Sequence, residues 1–199
     1  DWSSDVCSSD LLPKGFTTET YGMVMGYSQL WTSYLNTAFY TVFGTLANVV
    51  FTCLAAYPLS RKRFFLRRKL NFFVVFTMYF SAGTIPSYLL LSRLGMLNTP
   101  YALIFPNCIS VFNVIIMRSF FYGVPDSLRE AGEIDGPGPI RVLVQIYLPL
   151  SLPVIATLSL FYAVGRWNGF SDALMYLKKS ESEKYWPIQL LLYNVIKNS

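Results

Sequence analysis

The stretch Arg129–Pro153, REAGEIDGPGPIRVLVQIYLPLSLP, opens acidic, passes through glycine and proline, and ends at the edge of a long apolar run. Just before it, Gly123-Val124-Pro125-Asp126 has the chemistry of a helix start. Proline is tolerated at the first helical position, and an aspartate suits the positive end of the helix dipole. A helix over Ser127–Ile134 is therefore expected. Gly136-Pro137-Gly138-Pro139 must stop it, since glycine takes the left-handed cap and proline cannot continue the turn. A second amphipathic helix is expected over Ile140–Tyr147, after which Leu148-Pro149 and Leu152-Pro153 return the chain to apolar sequence. The stretch reads as a hinged connection between two hydrophobic spans.

Working outward, Ser33–Tyr57, Leu70–Leu91, Tyr101–Met117 and Pro149–Gly165 contain no Asp, Glu, Lys or Arg. A helix needs roughly 20 apolar residues to cross the hydrocarbon core, within a range of about 17–25. All four runs meet that length. The chain has 199 residues, 53% of them hydrophobic and 14% charged, against about a quarter charged in a soluble domain. Too little polar surface exists to cover four such helices in water. The expected fold is all-α: a polytopic transmembrane helical bundle with four complete spans, occupying residues 11–199.

Basic residues orient the bundle. Arg61, Lys62, Arg63, Arg67, Arg68 and Lys69 crowd the first connection, and Arg118, Arg129 and Arg141 lie in the third. Short Lys/Arg-rich loops stay cytoplasmic. Residues 58–69 and 118–148 are thus expected inside, and 92–100 and the tail after Trp167 outside. Lys178, Lys179, Lys184 and Lys197 make the tail a mild exception. The formal net charge of +5 calls for no nucleic-acid partner, because these cations flank spans and face anionic lipid. Cys7, Cys53 and Cys108 form no disulfide framework or metal spacing.

The ends differ from the rest. DWSSDVCSSD at residues 1–10 is Ser/Asp-rich, lacks the layout of a signal peptide, and resembles a translated sequencing-adapter remnant. It is set aside as a non-native leader, and the chain is expected to be a fragment.

Polar and helix-breaking residues mark the spans. Asn36 and Asn48 suit interhelical hydrogen bonds. Pro58 is expected to end the first span. Gly83 and Pro86 break the second, and Pro106-Asn107 and Asn113 disturb the third. Broken helices in a bilayer need neighbours or a water-lined cavity to satisfy freed backbone groups. Tyr79, Tyr88, Asn107 and Asn113 are therefore candidates to line a pathway, with helix–helix contact as the plainer role.

A short helix held crosswise by glycine and proline hinges can act as a rigid peg, through which a peripheral protein moves the attached spans. Ala131 and Gly132 would let a partner cleft approach closely, and Glu130, Glu133 and Asp135 could meet basic groups in it. The segment resembles the EAA loop of binding-protein-dependent ABC importer permeases, a MetI-like family in which it reads roughly E-A-A-x-x-x-G, nine residues, then I-x-L-P. Glu130, Ala131 and Gly132 take the E-A-A positions, Asp135 and Gly136 the D-G pair, and Ile146, Leu148 and Pro149 the end. Gly132 replaces alanine, and Pro137 stands where a small residue is usual. Asn36-Thr37, the run ending Ala55–Arg61, and Arg166-Trp167-Asn168 with Asp172-Ala173-Leu174 are similar to the carbohydrate-uptake branch, which includes MalG-type subunits. Within that branch, the stretch Ser81–Thr99 looks most like oligosaccharide or polysaccharide permeases.

The resemblance spans residues 12–199 and implies a bacterial inner-membrane, multi-pass permease that lacks the family's first and last spans here. It implies a second permease subunit, cytoplasmic ATPase subunits and an extracytoplasmic solute-binding protein as partners. ATP and Mg would sit on the ATPase, with no cofactor, metal or catalytic residue in this chain. The loop at 130–136 would dock in the ATPase and carry its motion to the spans during uptake of sugars or oligosaccharides. The particular sugar is set largely by the binding protein and the partner permease in such families.

Other classes fit less well. An ion-coupled secondary carrier usually places ionisable residues within spans, and the four runs have none. A membrane enzyme needs a nucleophile, metal ligands or an acid/base pair, and the chain has no His. A non-transport scaffold gives no reason for the hinged loop.

Overall fold

The computed structural model describes residues 26–61, 64–80, 82–125, 127–128, 138–178 and 182–198. Among these the secondary structure is helical throughout, with no strand.

The organising element is α1, Ser28–Ser60, a helix of 33 residues. At 1.5 Å per residue it is about 50 Å long, more than a bilayer core requires. Its two faces invert the pattern of a soluble helix. Ser33, Thr37, Gly44, Asn48, Thr52 and Ala56 are buried, while Leu35, Phe39, Val42, Leu46, Val50 and Leu54 are exposed. Both sets recur at helical spacing. Small and polar side chains turned inward, with an apolar stripe turned outward, suit a helix packed against protein on one side and lipid on the other. Trp31 and Tyr34 stand near its start, and Tyr34 meets Trp167 edge to face at 6.1 Å. Pro58 lies inside the helix, which runs on to Ser60. Its missing N–H deprives the Leu54 carbonyl of its helical donor, and the helix stops two residues later, where Arg61 N–H bonds back to the Pro58 carbonyl at 3.3 Å.

The second run forms α2, Arg67–Tyr79, and α3, Thr84–Arg93. Gly83 stands just before α3 at φ 81°, ψ −177°, a conformation essentially restricted to glycine. Pro86 falls in the first turn of α3, where its missing donor is not needed. The third run is divided into α4, Tyr101–Ile104, and α5, Val111–Tyr122, with Pro106 in the gap. The Ser110 side chain caps α5 by accepting from Asn113 N–H.

The expected amphipathic segment and the first two residues of the fourth run form α6, Pro139–Leu150; the rest of that run enters α7, Leu152–Trp167, and the two helices meet at 86° across Ser151. Within α6, Leu143–Tyr147 is a π-turn in which Leu148 N–H bonds the Leu143 carbonyl five residues back. The widened turn precedes Pro149, whose ring would otherwise press on the carbonyl four residues earlier. Two short elements follow, α8, Phe170–Tyr176, and, after a 3-10 turn at Glu183–Tyr185, α9, Ile188–Asn198.

The expectation of four complete spans needs correction. Among the described residues one helix alone, α1, is long and apolar enough to cross a membrane, or up to three if each bent pair is one span. The length of the uncharged runs is real, but glycine, proline and serine partition it into pieces.

Packing gathers these pieces at two levels along α1. The lower cluster joins Cys53, Ala56, Tyr57 and Leu59 of α1 to Met117 and Phe121 of α5 and to Val142, Leu143 and Tyr147 of α6. The upper cluster joins Tyr40 to Leu91, Ala102, Leu103, Tyr176, Trp186 and Leu190. Positions 40 and 53 stand about 20 Å apart on the helix. The segments that the basic residues assign to the inside thus meet at one level, and those assigned to the outside meet at the other.

Candidate functional site

Between the two clusters lies a cavity of about 460 Å³ bounded by α1, the α4–α5 break, α7, α8 and the start of α9. Its wall mixes amides, hydroxyls and charge with aromatic rings: Asn48, Asn107, Asn113, Tyr162, Arg166 and Asp172 all contribute.

Arg166, in the last turn of α7, organises it. The guanidinium donates to the carbonyls of Leu103 and Ile104 and, at 2.9 Å, to Asn48 Oδ1. Those carbonyls are the last of α4, which the break leaves without helical partners; a cation there also suits the negative end of the helix. One side chain therefore ties α1, α4 and α7 together. Gly44 makes room for it, because a Cβ at that position would stand 3.1 Å from Arg166 Nε.

Tyr162 makes a second tie. Its hydroxyl pairs with Thr52 Oγ1 at 2.7 Å and accepts from Ser110 N–H at 3.3 Å. Asn107 donates to Asp172 Oδ2 at 2.6 Å. Burial pushes the Asp172 carboxyl above its usual range, while the charge of Arg166 and the Asn107 hydrogen bond pull it down. The cavity thus offers one cation, one carboxylate and several amide and hydroxyl groups, beside the exposed Phe161 ring. Such a wall can exchange hydrogen bonds with a polyhydroxylated solute. Among the described residues no group of His, Cys, Asp or Glu is arranged to hold a metal.

The outer rim is held by the first half of α1. Asn36 Nδ2 donates to the carbonyls of Lys184, at 2.8 Å, and Trp186, at 3.2 Å. Thr37 Oγ1 accepts from Ile188 N–H at 2.9 Å, which caps α9, and Tyr40 donates to the Tyr185 carbonyl at 2.9 Å. Asn98, at φ 60°, links the outer turn to α8: its side chain accepts from Lys178 N–H at 2.8 Å.

Of the pathway candidates, Asn107 and Asn113 line the cavity. Tyr79 is 77% exposed at the end of α2, and Tyr88 packs against the upper cluster; neither reaches the cavity wall. Of the coupling-loop candidates, Glu130, Ala131, Gly132, Asp135 and Gly136 lie outside the described residues. Ile146 and Leu148 are half-buried against the lower cluster, and Pro149 is exposed. Between them Tyr147 is buried, its ring edge-on to Tyr57 at 5.2 Å and to Phe121 at 5.4 Å. The end of the loop is therefore seated on α1 and α5. Sequence reasoning passed over Arg166, Asp172 and Tyr162 as cavity groups. Asp172 and Arg166 are charges just past an uncharged run, and that position was the available signal.

An apolar-coated bundle with a polar interior cavity and a bent inner segment is the form of a membrane permease. Residues 20–196 match the family described as binding-protein-dependent transport system inner membrane component, and the chain belongs to that family. It is 43% identical over 186 residues to the polygalacturonan/rhamnogalacturonan transport system permease protein YtcP of Bacillus subtilis (strain 168), covering 94% of this chain and 64% of that one. It is 44% identical over 185 residues to Protein LplC of the same organism, covering 93% and 62%. Among solved structures, a bacterial ABC transporter involved in the import of the acidic polysaccharide alginate matches with a TM-score of 0.87 at 37% identity, covering 94% of this chain and 66% of that one. The chain thus spans less than two thirds of the length of these relatives.

Proposed function

We propose that the chain is the membrane-spanning permease subunit of an ATP-driven, binding-protein-dependent importer of oligosaccharides in the bacterial inner membrane. The observation that carries this reading is the polar cavity walled by Asn48, Asn107, Asn113, Arg166 and Asp172 inside a helical body whose outer face is apolar. Its amides and hydroxyls suit sugar hydroxyls, and its aromatic rings suit sugar faces. The relative at 43% identity is named for polygalacturonan and rhamnogalacturonan transport, and the structure at 37% identity for import of the acidic polysaccharide alginate, which favours uronate-bearing oligosaccharides as cargo.

In this reading a second permease completes the pathway, an extracytoplasmic binding protein delivers the solute, and cytoplasmic ATPase subunits hold ATP and Mg. The loop at 130–136 docks in the ATPase. Its motion passes through Ile146, Tyr147 and Leu148 to the lower cluster, and across the bend at Ser151 into α7. Arg166, at the far end of α7, carries the shift to the cavity. An ion-coupled carrier is the second reading, and the carboxylate of Asp172 at the cavity wall is what favours it.

The test is co-expression of the full-length, tagged permease with its ATPase and partner permease. Recovery of the ATPase is compared for wild type, Gly136→Asp and Glu130→Lys. Loop-dependent recovery, with uptake that follows ATP, is the expected result. A well-folded preparation that recovers no ATPase, with uptake abolished by a protonophore, would sink the importer reading in favour of the carrier.

A further inference from the structure

At the lower end of the bundle, away from the transport cavity, Phe64, Phe65, Arg67, Arg68, Asn71 and Arg118 line an open cleft of about 480 Å³. Its charge is one-sided. Three guanidiniums face it, and no carboxylate among the described residues lines it. Arg67, Arg68 and Lys69 form the first turn of α2, where cations oppose the helix dipole and an anion would be favoured. Arg118 comes from α5, which packs beside α2, and it repels Arg67. Its Nε is buried without a hydrogen-bond partner. Arg67 lies over the Tyr122 ring at 5.1 Å, which steadies the guanidinium without adding a negative charge to the cleft. A cluster of this kind in a folded protein calls for a counter-ion.

The rim says which kind. Phe65 is 95% exposed and Phe64 is 37% exposed, at the mouth of a cleft that is otherwise cationic. Two bare rings beside three arginines match a ligand that is an anion at one end and a hydrocarbon at the other. The level along α1 is that of the inner headgroups, because the basic connections meet there.

We propose that this cleft binds the phosphate headgroup of an anionic phospholipid of the cytoplasmic leaflet, with Arg67, Arg68 and Arg118 on the phosphate and Phe64 and Phe65 among the acyl chains. The lipid joins α2 to α5 at the point where the coupling segment enters, so the site is placed to stabilise that corner of the subunit. The proposal does not depend on which solute is carried.

Native mass spectrometry of the purified full-length chain tests it. The protein is released from detergent after incubation with phosphatidylglycerol or with phosphatidylcholine of the same acyl chains. Wild type is expected to retain phosphatidylglycerol and shed phosphatidylcholine. Arg68→Gln and Arg118→Gln should each lower retention about fivefold, the weight of one basic residue at an anionic surface. Arg118→Lys should keep most of it, and Arg141→Gln, at the same end but off the cleft, should change nothing. Equal retention of the two lipids, or unchanged retention in the Arg68→Gln/Arg118→Gln double variant, overturns the proposal. Displacement of the lipid by millimolar inorganic phosphate would reassign the cleft to a free anion. Loss of ATPase recovery in the Gln variants with lipid retention intact would reassign it to a protein surface.

Discussion

Arg166 directly follows the uncharged run Pro149–Gly165, and by position alone it stands at the outer edge of the fourth span. Its side chain instead turns back to the carbonyls of Leu103 and Ile104 and to Asn48. Hydrogen bonds from a charged donor to groups sequestered from water are worth about 1.5–3 kcal/mol each, and leaving such acceptors unmet costs a similar amount. Arg166→Leu should therefore destabilise the full-length protein by about 3 kcal/mol, read as a lowered Tm in detergent. Gly44→Ala should weaken the same tie, since the added methyl meets Arg166 Nε and Cδ at 3.1 and 3.2 Å. The decisive readout is the double variant. If Gly44 matters through Arg166, Gly44→Ala has no further effect once Arg166 is leucine. Additive losses would show that Gly44 serves some other packing.

At the scale of elements, breaks decide what each apolar run becomes. Gly83 stands at φ 81°, ψ −177°, and a Cβ there would meet nothing within 4 Å. Any cost of Gly83→Ala is thus backbone strain, about 1–3 kcal/mol. Gly165 offers the control: it is inside α7, and its Cβ site is equally open. Gly165→Ala should be neutral or stabilise by about 0.5–1 kcal/mol, because alanine loses less entropy in a helix. Thermal melts of the two variants should move in opposite directions; parallel shifts would mean that Gly83 is not held in that conformation. Gly83, Pro86 and Pro106 were legible in sequence as trouble within spans, and Pro149 as the end of the loop. Their geometry was not. Pro58 stays inside its helix, whereas Pro149 is accommodated by a π-turn and the chain bends one residue later, after Leu150. Which outcome follows depends on what packs against the freed backbone.

For the whole molecule, the inverted faces of α1 carry the consequence. Leu46 is 60% exposed midway along α1, on the apolar stripe opposite Asn48 and Thr52. In water, a surface leucine replaced by lysine is close to neutral. In a bilayer the same change should cost about 3–4 kcal/mol of insertion free energy, the penalty for lysine plus the lost gain of leucine. A translocon insertion assay on the full chain should show Leu46→Lys inserting markedly less well than wild type. Unimpaired insertion would mean that this face is covered by protein rather than lipid.

Composition and run length, by themselves, determined that this chain resides in a bilayer, since those quantities set its transfer free energy before any contact forms. The distribution of Lys and Arg determined which connections share a side, and the loop after Arg129 pointed to the family. Tertiary structure alone decided how many helices the runs yield, which residues face the cavity, and that Arg166, Asp172 and Tyr162 are among them. The physical reason is that hydropathy sums over a segment without regard to direction. A polar side chain in a membrane is tolerated only where a partner lies across space, and that partner is 118 residues away for Arg166 and Asn48, and 65 for Asn107 and Asp172.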